Sequence, residues 1–191
     1  MELNETTWKW LATGTIAVAF LSHRVMARFI ERRRRSAVDS LAMAFGATAE
    51  HNTDATSRFY VNVGDRRSEI AQGYKCRTAD GRYVRGYRLI IAVPLRDVSD
   101  IYNLSFKRRD DQRNAKSLSV QDSGYHPRDG WLTAALRDAI FDFYDSAGDR
   151  EPLNIEAGAL VYATNRRRDG PALRDLVKHQ LNVATSIERT L

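Results

Sequence analysis

At 191 residues the chain is long enough for one ordinary domain with a short appendage and too short for two full domains. Its 43% hydrophobic and 28% charged residues are those of a globular protein and exclude an intrinsically disordered one. The net charge of +6 is concentrated. Residues 1–22 sum to −1, residues 23–35 to +5, and residues 36–191 to only +2, which speaks against a nucleic-acid surface spread over the folded part.

The chain opens on an apolar run. Residues 10–22 hold no charge, and Lys9 and Arg24 bracket them. A helix rises about 1.5 Å per residue, so the run covers roughly 20 Å against a hydrocarbon core of about 30 Å. Snorkelling of Lys9 and Arg24, aromatic anchoring by Trp8 and Trp10, and continuation through Val25, Met26, Phe29 and Ile30 can lengthen it. The positive charge follows the run, as Arg24, Arg28, Arg32, Arg33, Arg34 and Arg35, whereas a cleaved export signal carries it before. These arginines are expected to meet lipid headgroups or to set topology. By the positive-inside rule the expectation is a single-pass inner-membrane anchor over residues 1–35, with the N-terminus outside and residues 36–191 as a cytoplasmic domain. "ERRRR" is charged on every helical face, so it cannot enter a core.

Residues 36–49 read as a short helix with Ser36 as its N-cap and Gly46 near its end, followed by the polar loop "EHNTDATS". Strand signals come next. "RFYVNV" alternates Phe59, Val61 and Val63 against Tyr60 and Asn62. Gly64-Asp65 makes a turn, "RSEIAQGYKCR" a second strand, and Asp80-Gly81 the next turn. Residues 83–95 form the longest strand, apolar on both faces in its middle. "IYNLSFKRR" and "SLSV" give two more. Short turns between neighbours predict an antiparallel meander.

The period then changes. Asp129 is placed to cap a helix with Leu132, Leu136, Ile140 and Phe143 on one stripe, ending before Gly148. "LNIEAGALVY" is a hairpin closing at Ala157-Gly158. Gly170-Pro171 starts a last helix with Leu173, Leu176, Val177, Leu181, Ala184, Ile187 and Leu191 on its apolar face. Strands in one run with helices after them predict an α+β fold: an N-terminal membrane-anchor helix, then an antiparallel β-meander with helices packed on one face.

Candidate chemistry is sparse. The lone cysteine, Cys76, closes no internal disulfide and makes no zinc pattern with four scattered histidines, so neither a metal nor a cofactor is expected. His51, Asp54 and Ser57 could form a base, an orienting acid and a nucleophile, although a solvated turn explains the same residues. Tyr125, His126 and Asp129 could line a pocket at a helix N-terminus. His179 reads as a surface side chain. Asp138, Asp142 and Asp145 share a helical face and read as its solvated side.

The basic loops 107–113 and 165–168 offer Lys107, Arg108, Arg109, Arg166, Arg167 and Arg168 to nucleic-acid phosphates, with Tyr102 and Phe106 as neighbouring aromatics, although Asp110 and Asp111 cancel much of that field and lipid headgroups could be met equally. Phosphate-loop, dinucleotide, zinc-protease and Cys-x-x-Cys motifs are absent. The expected function is that of an interaction or assembly module, partnered by membrane lipid and by another protein or its own copies. A nucleic-acid binder using the two basic loops is the alternative, and a small enzyme with a pocket near His126 a second one.

Overall fold

The computed structural model describes residues 5–52, 56–77, 83–96, 98, 104–110, 116–122 and 130–190. It divides into two compact units, Met1–Ala37 and Val38–Leu191.

Helix α1 (Glu5–Ala44) contributes to both units. It does not restart at Ser36. Glu31 accepts from Arg34 at 2.8 Å and from Arg35 at 2.9 Å, the three- and four-residue spacings that stabilise a continuing helix. The chain leaves α1 at Gly46, whose φ of 67° no β-carbon hinders, with Ala47 N–H donating to Ala42 O at 2.9 Å.

In the first unit large apolar side chains stand in the open. Ile16 is 70% and Val25 67% exposed. Among the described residues no helix is long and apolar enough to cross a membrane. That overturns the single-pass transmembrane anchor, the inner-membrane location and the outside-to-cytoplasm topology drawn from it. The reason is length: the uncharged run ends at Ser22, and His23, Arg24 and Arg28 interrupt the helix before enough apolar rise accumulates.

The second unit is built on one eight-stranded antiparallel sheet, in the order β1-β2-β3-β4-β8-β7-β5-β6. Its strands are β1 (Glu50–His51), β2 (Thr56–Val63), β3 (Arg66–Arg77), β4 (Tyr83–Pro94), β5 (Leu104–Asp110), β6 (Lys116–Asp122), β7 (Leu153–Glu156) and β8 (Ala159–Thr164). With helices α2 (Ala134–Ala147) and α3 (Gly170–Glu188) the fold is α+β with an N-terminal helix. Period-two alternation decides what β2 buries: Ser57, Phe59 and Val61 face the core while Arg58, Tyr60 and Asn62 do not. The row Phe59, Ile70, Ile91, Tyr162, Leu153, Phe106, Val120 then crosses seven strands in register. Leu136, Ile140 and Phe143 of α2 and Leu173, Leu176, Val183 and Ile187 of α3 share its core, and Phe143 meets Tyr162 edge-on at 4.9 Å.

The meander holds for β1 to β4 and then breaks. The chain lays down β5 and β6 as a far edge, passes through α2, and returns with the β7–β8 hairpin to fill the gap beside β4. That hairpin turns at Ala157 (φ 48°) and Gly158 (φ 72°), the two left-handed residues a tight turn of matching twist needs. β8 suits a central place because Leu160, Val161 and Tyr162 are buried in succession, with Val161 joining Ile90 in a second, smaller cluster on the opposite face. α2 is capped by Thr133, whose Oγ1 accepts from Leu136 N–H at 3.2 Å, and not by Asp129. α3 is capped by Asp169, with Pro171 in its first turn.

Candidate nucleic-acid interface

On β5 the side chains of Leu104 and Phe106 point into the core, so Lys107 and Arg109 point the other way and are exposed. Arg108 returns to the helix side and pairs with Asp145 of α2 at 2.5 Å. Past β8 the chain carries Asn165, Arg166 and Arg167, all exposed, before α3 begins. The loop 149–152 between α2 and β7 lies between these two segments. All three border one cleft of about 780 Å³.

The floor of the cleft is fixed by its own hydrogen bonds. Asp149 accepts from the Tyr162 hydroxyl at 2.5 Å, from Thr164 at 2.6 Å and from Glu151 N–H at 3.3 Å. Burial, and then the Asp149 carboxylate beside it, push the Tyr162 hydroxyl well above the usual phenol range. Thr164 also accepts from Arg166 N–H at 3.1 Å, which sets the direction in which the chain leaves β8. Arg168 donates to Ser146 O at 3.2 Å and to Ala147 O, so its charge sits on the last carbonyls of α2, where the helix dipole favours a cation.

Behind the lining, the buried Tyr144 joins two of the strands of the sheet. Its hydroxyl donates to Phe106 O at 2.7 Å and accepts from Leu153 N–H at 3.2 Å, tying β5 to β7 at their last paired residues. Burial raises this hydroxyl's pKa as well.

Among the described residues, the lining carries five cations, Lys107, Arg108, Arg109, Arg150 and Arg166, against two carboxylates, Asp149 and Glu151. Arg108 is matched by Asp145, and Asp149 is engaged by two hydroxyls. Lys107, Arg109, Arg150 and Arg166 are exposed around the rim. Such a rim has the charge to attract an extended anion.

The two basic loops read from sequence therefore meet in one place for Lys107, Arg108, Arg109 and Arg166. Arg168 instead caps α2. Residues 111–113 and Tyr102 lie outside the described residues, and Phe106 is buried in the core, so it offers no stacking surface. Arg150 was not among the sequence candidates. Its signal is its place just after the Gly148 helix stop, where a short loop must turn back to the sheet.

The remaining candidates resolve differently. His51 Nδ1 lies 2.8 Å from Ser57 Oγ, and its Nε2 lies 3.0 Å from Asp39 Oδ1. The carboxylate is thus Asp39, from the end of α1, while Asp54 lies outside the described residues. Ser57 is 1% exposed and directly opposite His51 in the β1–β2 pairing, an arrangement that pins the end of α1 to the sheet edge and leaves no approach to the hydroxyl. Tyr125, His126 and Asp129 lie outside the described residues. His179 is half-buried. Asp138 and Asp142 are exposed, and among the described residues no cluster of three metal-ligating side chains occurs. Arg24 stacks on Phe20 at 4.6 Å, Arg34 and Arg35 engage Glu31, and Arg28, Arg32 and Arg33 are exposed.

No protein-family model, no curated protein and no solved structure matches the chain.

Proposed function

We propose that the domain formed by residues 38–191 binds nucleic acid, gripping the phosphate backbone in the cleft between β5, the 149–152 loop and the segment after β8. The observation that carries this is convergence. Cations from three separate stretches of the chain collect at one cleft in a domain whose own net charge is only +2. The exposed rim cations outnumber the two lining carboxylates, Asp149 and Glu151, and supply the long-range attraction. The role is binding, not catalysis.

The test is titration of a labelled duplex by fluorescence anisotropy at several salt concentrations between about 50 and 200 mM. Phosphate contacts from Lys107, Arg109 and Arg166 give a slope of log affinity on log salt of roughly −3. Lys107→Glu combined with Arg166→Glu should flatten that slope and weaken binding, while Lys178→Glu on exposed α3 surface should do neither. Absence of binding at low salt, or equal binding by the double variant, overturns the reading.

A second reading, self-association, is supported by the large apolar side chains exposed along residues 16–30. Val25→Glu with Phe29→Glu should lower the mass found by sedimentation of the full chain, and a parent that is already monomeric removes this reading.

A further inference from the structure

β7 pairs with β5 only at Leu104, Ser105 and Phe106. Beyond Phe106, among the described residues, Lys107–Asp110 pair solely with Lys116–Ser119 of β6. The sheet therefore ends in a two-stranded ribbon that projects past its neighbour. One face of this ribbon is anchored. Arg108 holds Asp145 at 2.5 Å, and Leu118 and Val120 pack on the core. On the other face the cross-strand pairs are Ser105 with Gln121, Lys107 with Ser119 and Arg109 with Ser117; Lys107, Arg109 and Gln121 are exposed and the three serines half-buried. Ser117 donates to Arg109 O at 3.0 Å, a bond that stitches the ribbon together.

These six side chains include two cations, four neutral hydrogen-bonding groups and no carboxylate. A backbone grip needs only the cations. Amides and hydroxyls beside lysine and arginine are the groups that read base edges. A two-stranded ribbon fits the major groove of B-form DNA, about 12 Å wide, whereas the deep, narrow major groove of an RNA helix does not admit it. A single strand is held by stacking on aromatic rings, and none of the six is aromatic.

From this juxtaposition we infer that the β5–β6 ribbon enters the major groove of double-stranded DNA. Gln121, Ser119 and Ser105 on its outward face lie toward the base edges, while Lys107 and Arg109, with Arg166 across the cleft, hold the flanking phosphates. The inference rests on the nucleic-acid reading above and narrows it to one class of ligand.

The experiment uses the full chain with three probes: a mixed-sequence DNA duplex, the RNA duplex of the same sequence, and one DNA strand alone. Affinities are compared at fixed salt, and guanine N7 in the DNA duplex is probed with dimethyl sulfate. The expected result is tightest binding of the DNA duplex, with N7 protected. Gln121→Ala with Ser119→Ala should weaken duplex binding roughly fivefold or more and leave the salt slope unchanged, because neither side chain is charged. Equal or tighter binding of the single strand or the RNA duplex, or unprotected N7, overturns the groove inference and leaves the cleft reading standing. Failure to bind all three probes overturns both.

Discussion

Removing the Tyr144 hydroxyl tests how β5 is held beside β7, and hence how one wall of the cleft is built. In Tyr144→Phe two buried backbone groups lose a partner: Phe106 O, an acceptor at 2.7 Å, and Leu153 N–H, a donor at 3.2 Å. Each unsatisfied buried group costs about 1–3 kcal/mol. Phenylalanine is easier to bury than tyrosine, which offsets part of this, so a net loss of about 2–3 kcal/mol is expected. For a domain of this size each kcal/mol moves Tm by about 2–4 °C, giving a fall of about 4–12 °C. Calorimetry on parent and variant reads the shift, and hydrogen exchange locates it, since the Leu153 amide should lose protection before its neighbours. A Tm equal to the parent's, or a Leu153 amide that exchanges as slowly as before, refutes the bridging role.

Alkaline pH offers a second test. Burial holds the Tyr144 and Tyr162 protons in the fold after an unfolded chain, with a phenol pKa of about 10, would release them. Stability is therefore full below about pH 10 and falls above it, by up to about 1.4 kcal/mol per pH unit for each tyrosine. Urea midpoints on either side of pH 10 should show the decline, and Tyr144→Phe should show a shallower one; a flat profile contradicts the linkage. At the other end of the domain, Glu188 of α3 accepts from Arg66 at 2.5 Å and from Arg96 N–H at 2.6 Å, and both members of the ion pair are largely buried. Glu188→Ala leaves a buried guanidinium without its countercharge and should cost about 3 kcal/mol in urea unfolding. A loss below about 1 kcal/mol would mean that water reaches Arg66 freely.

What was legible in the sequence was local. Gly170-Pro171 and the spacing of Leu173, Leu176, Val177, Ala184 and Ile187 mark α3, and Ala157-Gly158 marks the β7–β8 hairpin, because helix starts and left-handed turns depend on a few adjacent residues; the Asp169 cap was not read from the sequence. Gln180 escaped notice because a polar residue in an apolar stripe reads as solvent-facing. It is instead fully buried, donating to Ile91 O at 3.0 Å and Leu160 O at 2.7 Å. Ser36 has the chemistry of a cap, yet the Glu31 pairs carry the helix through it. The carboxylate on His51 could not be named, since Asp39 reaches it only once α1 lies against β1. The cleft is non-local in the same way. Arg109 and Arg166 become neighbours only because β7 and β8 are inserted between β4 and β5, an order that alternation within each strand does not encode.

That insertion also sets a timetable for synthesis. β4, with Leu89, Ile90, Ile91 and Val93 along it, leaves the ribosome well before β8, which alone covers its second edge. In the interval the nascent chain exposes a long apolar strand with an unsatisfied ladder, open to pairing with any other extended segment. The β7–β8 hairpin is the piece that closes this window. Delay in its arrival, whether by slow translation or by a variant that loosens the Ala157-Gly158 turn, lengthens the time during which aggregation competes with folding.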